Sequence, residues 1–184
     1  MSLLAHLSLP EALATEVLLL HISLLPRLET LTIYPVPTKN GIFGEESRGF
    51  VSLRSLDLPN EKLLNRFLSY PLRDLEILKA RNLSRNSLQK LARNLTGLQK
   101  LCIEGSSFSL HEIFLLGACF QLEEIEIITQ YPLEMDDLDL RRFRDMFRAL
   151  RSLSITTQDP QSNFGLSSEL RGGVYHWYSS PGRT

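Results

Sequence analysis

Cys102 is the residue of this chain best suited by type to nucleophilic chemistry. A thiol attacks as the thiolate, so it needs a base or an activating cation beside it. The four histidines, His6, His21, His111 and His176, are scattered, without metal-ligand spacing and without a place next to Cys102. The repeat described below sets Lys79 and Lys100 near Cys102. They would lower its pKa and make it redox-reactive rather than catalytic. The plainer reading is an ordinary exposed thiol. Cys119 falls at a core position and reads as packing. Two cysteines make no disulfide framework, and their spacing matches no zinc pattern, so a reducing compartment is expected.

The other chemistry-bearing groups also have plain readings. Arg141, Arg144, Arg148 and Arg151 share one helical stripe, where phosphate binding is one possibility. Asp137 and Asp145 interleave with them and no aromatic platform accompanies them, so the stripe reads as a solvated face. "GIFGEESRGF" (41–50) has glycines but neither the pattern nor the strand–helix setting of a phosphate loop. The 184 residues carry a net charge of −1, which gives no general attraction to polyanions. The apolar start, "MSLLAHLSLPEALATEVLLLHISLL", lacks a basic leader and contains Glu11 and Glu16. It fits neither a signal peptide nor a membrane span. The sequons at 82–84 and 94–96 matter only in a secreted chain. The expectation is a non-enzymatic protein without metal or cofactor, intracellular in cytoplasm or nucleus.

A repeat positions these residues. The template "apolar, two free, apolar, one free, apolar" occurs as "LETLTI" from Leu28, "LRSLDL" from Leu53, "LEILKA" from Leu75, "LQKLCI" from Leu98, "LEEIEI" from Leu122 and "LRSLSI" from Leu150. The copies start 25, 22, 23, 24 and 28 residues apart. Three residues before each start lies another apolar residue: Leu25, Phe50, Leu72, Leu95, Cys119 and Phe147. Between copies the period changes to that of amphipathic helices, in 61–70, 84–95, 109–120 and 134–150. Ser84 and Ser109 are N-cap candidates, the latter with Glu112 at capping-box spacing. A strand–helix unit of this length cannot bury both apolar faces alone. Stacked units pair their strands in parallel and pack their helices outside, giving a curved solenoid with the sheet on its concave side.

At this point the chain resembles leucine-rich repeat proteins, closest to the cysteine-containing, helix-backed variety found with F-box proteins. That unit opens with Cys, two free positions, Leu, two free, Leu, one free, Leu. "CFQLEEIEI" (119–127) matches, with Ile125 and Ile127 for two leucines. "LLLHISLLPRLETLTI" (18–33) is similar to helix-to-strand passages of fungal F-box leucine-rich proteins. The resemblance spans about residues 10–158 and implies a right-handed α/β superhelix.

The expected organisation is therefore an α/β solenoid with six short parallel strands on the concave face and helices on the convex face. Residues 1–24 form a capping helix rather than an F-box. Residues 25–158 form the array, with a loop insertion at 35–49. Residues 159–184 form an irregular tail, unless Phe164, Leu166, Leu170, Val174 and Trp177 cover the open C-terminal edge. Period-2 alternation directs Tyr34, Asp57, Lys79, Arg81, Lys100, Cys102, Glu104, Glu124 and Glu126 outward from the concave sheet. Basic residues cluster on the third and fourth strands and acidic ones on the fourth and fifth. Either they bridge one another on a solvated sheet, or they form a bipolar surface that orients a protein partner. The resemblance implies the substrate-recognition part of an F-box-type ubiquitin-ligase adaptor. The alternative is a stand-alone binding scaffold or inhibitor without a ubiquitin role. Neither reading needs a small-molecule substrate, nucleic acid or a membrane.

Overall fold

The computed structural model describes residues 4–35, 50–106, 109–129, 137–157, 164–171 and 174–181. They build one open sheet of nine strands lying side by side in chain order. β1 (His6–Pro10), β2 (Thr30–Tyr34), β3 (Ser55–Leu58), β4 (Ile77–Arg81), β5 (Lys100–Ser106), β6 (Glu124–Thr129) and β7 (Ser152–Thr157) are parallel. β8 (Phe164–Arg171) and β9 (Val174–Pro181) continue the sheet antiparallel. The helices α1 (Glu16–Ser23), α2 (Glu61–Phe67), α3 (Arg85–Asn94), α4 (Leu110–Ile113) and α5 (Asp137–Met146) lie in the connections. The fold is thus mixed α/β with seven parallel strands. Residues 36–49, most of the expected loop insertion, lie outside the described residues.

The template residues make the core. Leu31, Leu56, Leu78, Leu101, Ile125 and Leu153 form one continuous row across β2 to β7, and all are buried. Leu58, Ala80, Ile103, Ile127 and Ile155 form the next. Among the six expected copies every template position is buried except Leu25, which is partly buried. The helices close over these rows with Leu19, Ile22, Leu63, Leu64, Phe67, Leu88, Leu91, Leu110, Ile113 and Phe143 in the same apolar cluster. Each such leucine contributes roughly 1.5–3 kcal/mol relative to an exposed one.

The backbone repeats with the sequence. The carbonyl one residue after each template start accepts two N–H groups from the following unit. Glu29 receives Arg54 and Ser55, Arg54 receives Glu76 and Ile77, Glu76 receives Gln99 and Lys100, Gln99 receives Glu123 and Glu124, and Glu123 receives Arg151 and Ser152. The apolar residue three before the start closes the helix-to-strand turn. Its carbonyl accepts from the start residue at Leu25–Leu28, Leu72–Leu75, Leu95–Leu98, Cys119–Leu122 and Phe147–Leu150. That turn explains why this position must be apolar: it is the corner where the chain enters the core.

Four expectations are corrected. Six strands were expected; seven are parallel and two more are antiparallel. The N-terminal segment, read as a capping helix, begins with β1, and α1 starts only after Thr15, whose hydroxyl accepts from the Leu18 N–H. The signal for β1 is present in the sequence: "LAHLSL" from Leu4 is a further copy of the template, 24 residues before Leu28. Ala5 accordingly receives Glu29 and Thr30 in the same two-bond pattern. The tail, read as irregular, carries β8 and β9. β8 pairs with β7 and β9 with β8, so the C-terminal edge of the parallel strands is covered by main-chain pairing. The expected helix at 109–120 is only partly α-helical: α4 passes into a 3-10 stretch, Phe114–Ala118. At Gly117 a Cβ would collide with the Met146 sulfur, so glycine lets α5 approach there.

Polar groups link neighbouring helices. Asn60 caps α2, accepting from the Leu63 N–H at 3.0 Å. Ser84 caps α3 by accepting from Ser87 N–H. Glu61, in the first turn of α2, reaches that start: its carboxylate accepts from the Ser84 N–H and hydroxyl and from the buried Ser87 hydroxyl. Partial burial pushes the Glu61 carboxyl up, but bonds from Ser84, Ser87 and Asn65 outweigh it and hold the pKa below its ordinary value of 4.5. A depressed folded pKa adds stability that is present above pH 4.5 and is lost as pH falls through the folded value. Glu61→Gln is expected to lower stability by about 1 kcal/mol at pH 7, and to flatten the acid side of the stability–pH curve. Urea titrations between pH 3 and 7 check this; unchanged steepness below pH 4.5 would contradict it.

Candidate functional site

The sheet has two unlike faces because its strands alternate. One is sealed by the helices. The other carries short polar rungs and a charged centre. The strand register sets these rungs in rows: Thr30, Ser55, Ile77, Lys100, Glu124, Ser152; then Thr32, Asp57, Lys79, Cys102, Glu126, Ser154; then Arg81, Glu104, Ile128, Thr156. Eight of the nine residues expected on this face come together on β3 to β6. Tyr34 stands apart, exposed at the end of β2, because β3 stops at Leu58 and Pro59 is buried rather than outward. The rungs of β1, His6 and Ser8, join the face as well. Missing the copy at Leu4 hid them.

Most of the charge is consumed within the face. Arg81 lies between two carboxylates, with Nε 2.9 Å from Glu104 Oε2 and Nη1 3.5 Å from Asp57 Oδ1. Lys100 donates to Glu124 on the adjoining strand, and that bond pushes the ammonium pKa above its ordinary value. These bridges sit in partly solvated positions and add little stability. Lys79 and Glu126 differ. Among the described residues neither has an ion-pair partner within 4.0 Å. They occupy the same row on β4 and β6, with Cys102 between them.

Cys102 corrects the sequence reading. It points to the open face, as alternation requires, yet is only 7% exposed, because its short side chain lies between longer neighbours. Burial pushes the thiol up first; its hydrogen bond to the Glu126 carboxylate and the charges of Glu126 and Glu104 add to that, against a smaller opposing effect of Lys79. The result is a pKa of about 12, not an activated thiolate. Cys119 is buried and lies 3.9 Å from the Ala92 carbonyl oxygen, with its pKa raised to about 11 by burial. Iodoacetamide at pH 8 is therefore expected to label both cysteines at least about 100-fold more slowly in the folded than in the urea-unfolded chain. Glu126→Gln should speed labelling of Cys102 alone. Peptide mass spectrometry reads both, and equal folded and unfolded rates at Cys102 would contradict the geometry.

The remaining candidates stay dispersed. Arg141, Arg148 and Arg151 are exposed, and Arg151 Nε lies 3.4 Å from Glu123 Oε2. Arg142 lies near Asp139, and the Arg144 side chain is outside the described residues. His111 is on α4 beside Phe114, away from the thiol rows. Among the described residues no group of three or more His, Cys, Asp or Glu side chains could hold a metal ion, and no helix is long and apolar enough to cross a membrane. Comparison with known proteins returns no match: no family model, no curated protein and no solved structure is significantly similar to this chain.

Proposed function

We propose that the chain is a leucine-rich repeat module that binds another protein through the open, concave face of its strands. The chain-order parallel sheet, the buried template and the two-bond backbone pattern repeated from unit to unit support the repeat architecture. The observation that carries the function is the pair Lys79 and Glu126, without an ion-pair partner among the described residues, centred on a face whose other charged rungs bridge one another. A solvated structural sheet has no need of such a pair. A recognition surface uses it to orient a partner.

The reading is one of binding without catalysis, cofactor or metal, since the thiol best suited to attack is held protonated. Two free thiols fit a reducing cytoplasm or nucleus. By the family resemblance, the bound protein is a substrate presented to a ubiquitin ligase by an F-box-type adaptor. Affinity purification with the wild type and with a variant carrying Lys79→Glu, Lys100→Glu, Glu124→Lys and Glu126→Lys tests the face. Recovery of the same partners in equal yield by both would refute it.

A further inference from the structure

Resting on that reading, we infer the shape and chemistry of the partner: a helix laid across the strands, with an acidic side chain over Lys79 and a basic one over Glu126, seven residues apart. The charges on the open face are ordered along the sheet. β4 carries Lys79 and Arg81, β5 carries Lys100 and Glu104, and β6 carries Glu124 and Glu126. The face is therefore positive at β4 and negative at β6, with its gradient running across the strands. A partner that exploits the gradient must also run across them, and in one direction only.

The spacing selects the partner's conformation. Lys79 and Glu126 share a register row two strands apart, so their backbones are about 9.6 Å from each other. Residues on one side of an extended peptide recur every ~6.7 Å, with the next at ~13 Å, and neither distance fits. In a helix, residues i and i+7 lie on the same side about 10.5 Å apart. Between the two charges stands Cys102, a short side chain only 7% exposed and hydrogen-bonded to Glu126. A rung shorter than Lys79 and Glu126 leaves space for the small or apolar residues that lie between i and i+7 on that side, at i+3 and i+4. The neighbouring rungs Ser154, Ser152, Ser55 and Thr32 are short and leave the helix room. Ile77, exposed beside Lys79 and Lys100, offers an apolar flank.

The probe is a synthetic alanine-rich helical peptide with Glu at i and Lys at i+7, compared with the same peptide in which Glu and Lys are exchanged. Binding is followed by amide chemical-shift changes of the whole chain, up to about 1 mM peptide. The Glu-then-Lys peptide runs from β4 to β6 and the Lys-then-Glu peptide from β6 to β4, so the two carry both orientations of the helix dipole into the comparison. A third peptide, with the charges at i and i+2, breaks the spacing. The i, i+7 peptides are expected to bind about tenfold more tightly than the i, i+2 peptide, with shifts centred on β4 to β6. The Lys79→Glu variant, which leaves no positive side chain in that row, is expected to lose the difference. Equal binding of all three peptides, shifts elsewhere, or no binding by any overturns the inference. If the peptides fail while the four-residue charge variant still loses its captured partners, only the helical partner falls. If that variant keeps them, the interaction reading falls with it.

Discussion

Leu101→Ala is expected to destabilise the protein by about 3 kcal/mol. Leu101 is fully buried, with Leu78 and Ile125 as its register neighbours on β4 and β5's other flank, β6. Truncation removes the transfer free energy of the lost methyl groups and leaves a cavity that two neighbouring units cannot collapse without breaking their own register. In a chain of this size the change corresponds to a melting temperature lower by roughly 6–12 °C. Leu7→Ala occupies the equivalent template position on β1 but is only partly buried and has a strand on one side alone. It should cost less than half as much. Thermal and urea denaturation of both variants check this. A loss below about 1 kcal/mol at Leu101, or equal losses at the two sites, would contradict a core built from stacked copies of one template.

The repeat was legible because one physical requirement recurs: each unit needs apolar residues at the turn, the strand entry and two strand positions. Those positions were readable even where Cys119 or Phe147 replaced leucine, since any apolar side chain satisfies the corner. β1 was missed for the opposite reason. The N-terminal segment is so rich in leucine that its helical and strand periodicities overlap, and only Leu4, Leu7 and Leu9 at template spacing distinguish the strand. β8 and β9 were not legible because they leave the template and pair antiparallel. The open face was readable in outline from alternation, which assigns direction. Burial and pairing depend on neighbouring strands. Thus Cys102 was given the right direction and the wrong exposure, and the sequence alone could not separate Arg81, Lys100 and Glu124, which are consumed in bridges, from Lys79 and Glu126, which are not.

Reversing the charge of four rungs should abolish partner binding while sparing the fold. In the Lys79→Glu, Lys100→Glu, Glu124→Lys, Glu126→Lys variant the net charge is unchanged. The Lys100–Glu124 bridge is inverted rather than broken, so stability should stay within about 1 kcal/mol of the wild type. The field presented to a partner, however, changes sign across the sheet. Complementary contacts become repulsive ones, and a shift of ~1.4 kcal/mol is already tenfold in affinity. The decisive measurement is quantitative affinity purification with this variant and the wild type, both shown to melt cooperatively at similar temperatures. Loss of the wild-type partners by at least about tenfold is the predicted result. Recovery of those partners in equal yield would contradict recognition through the open face.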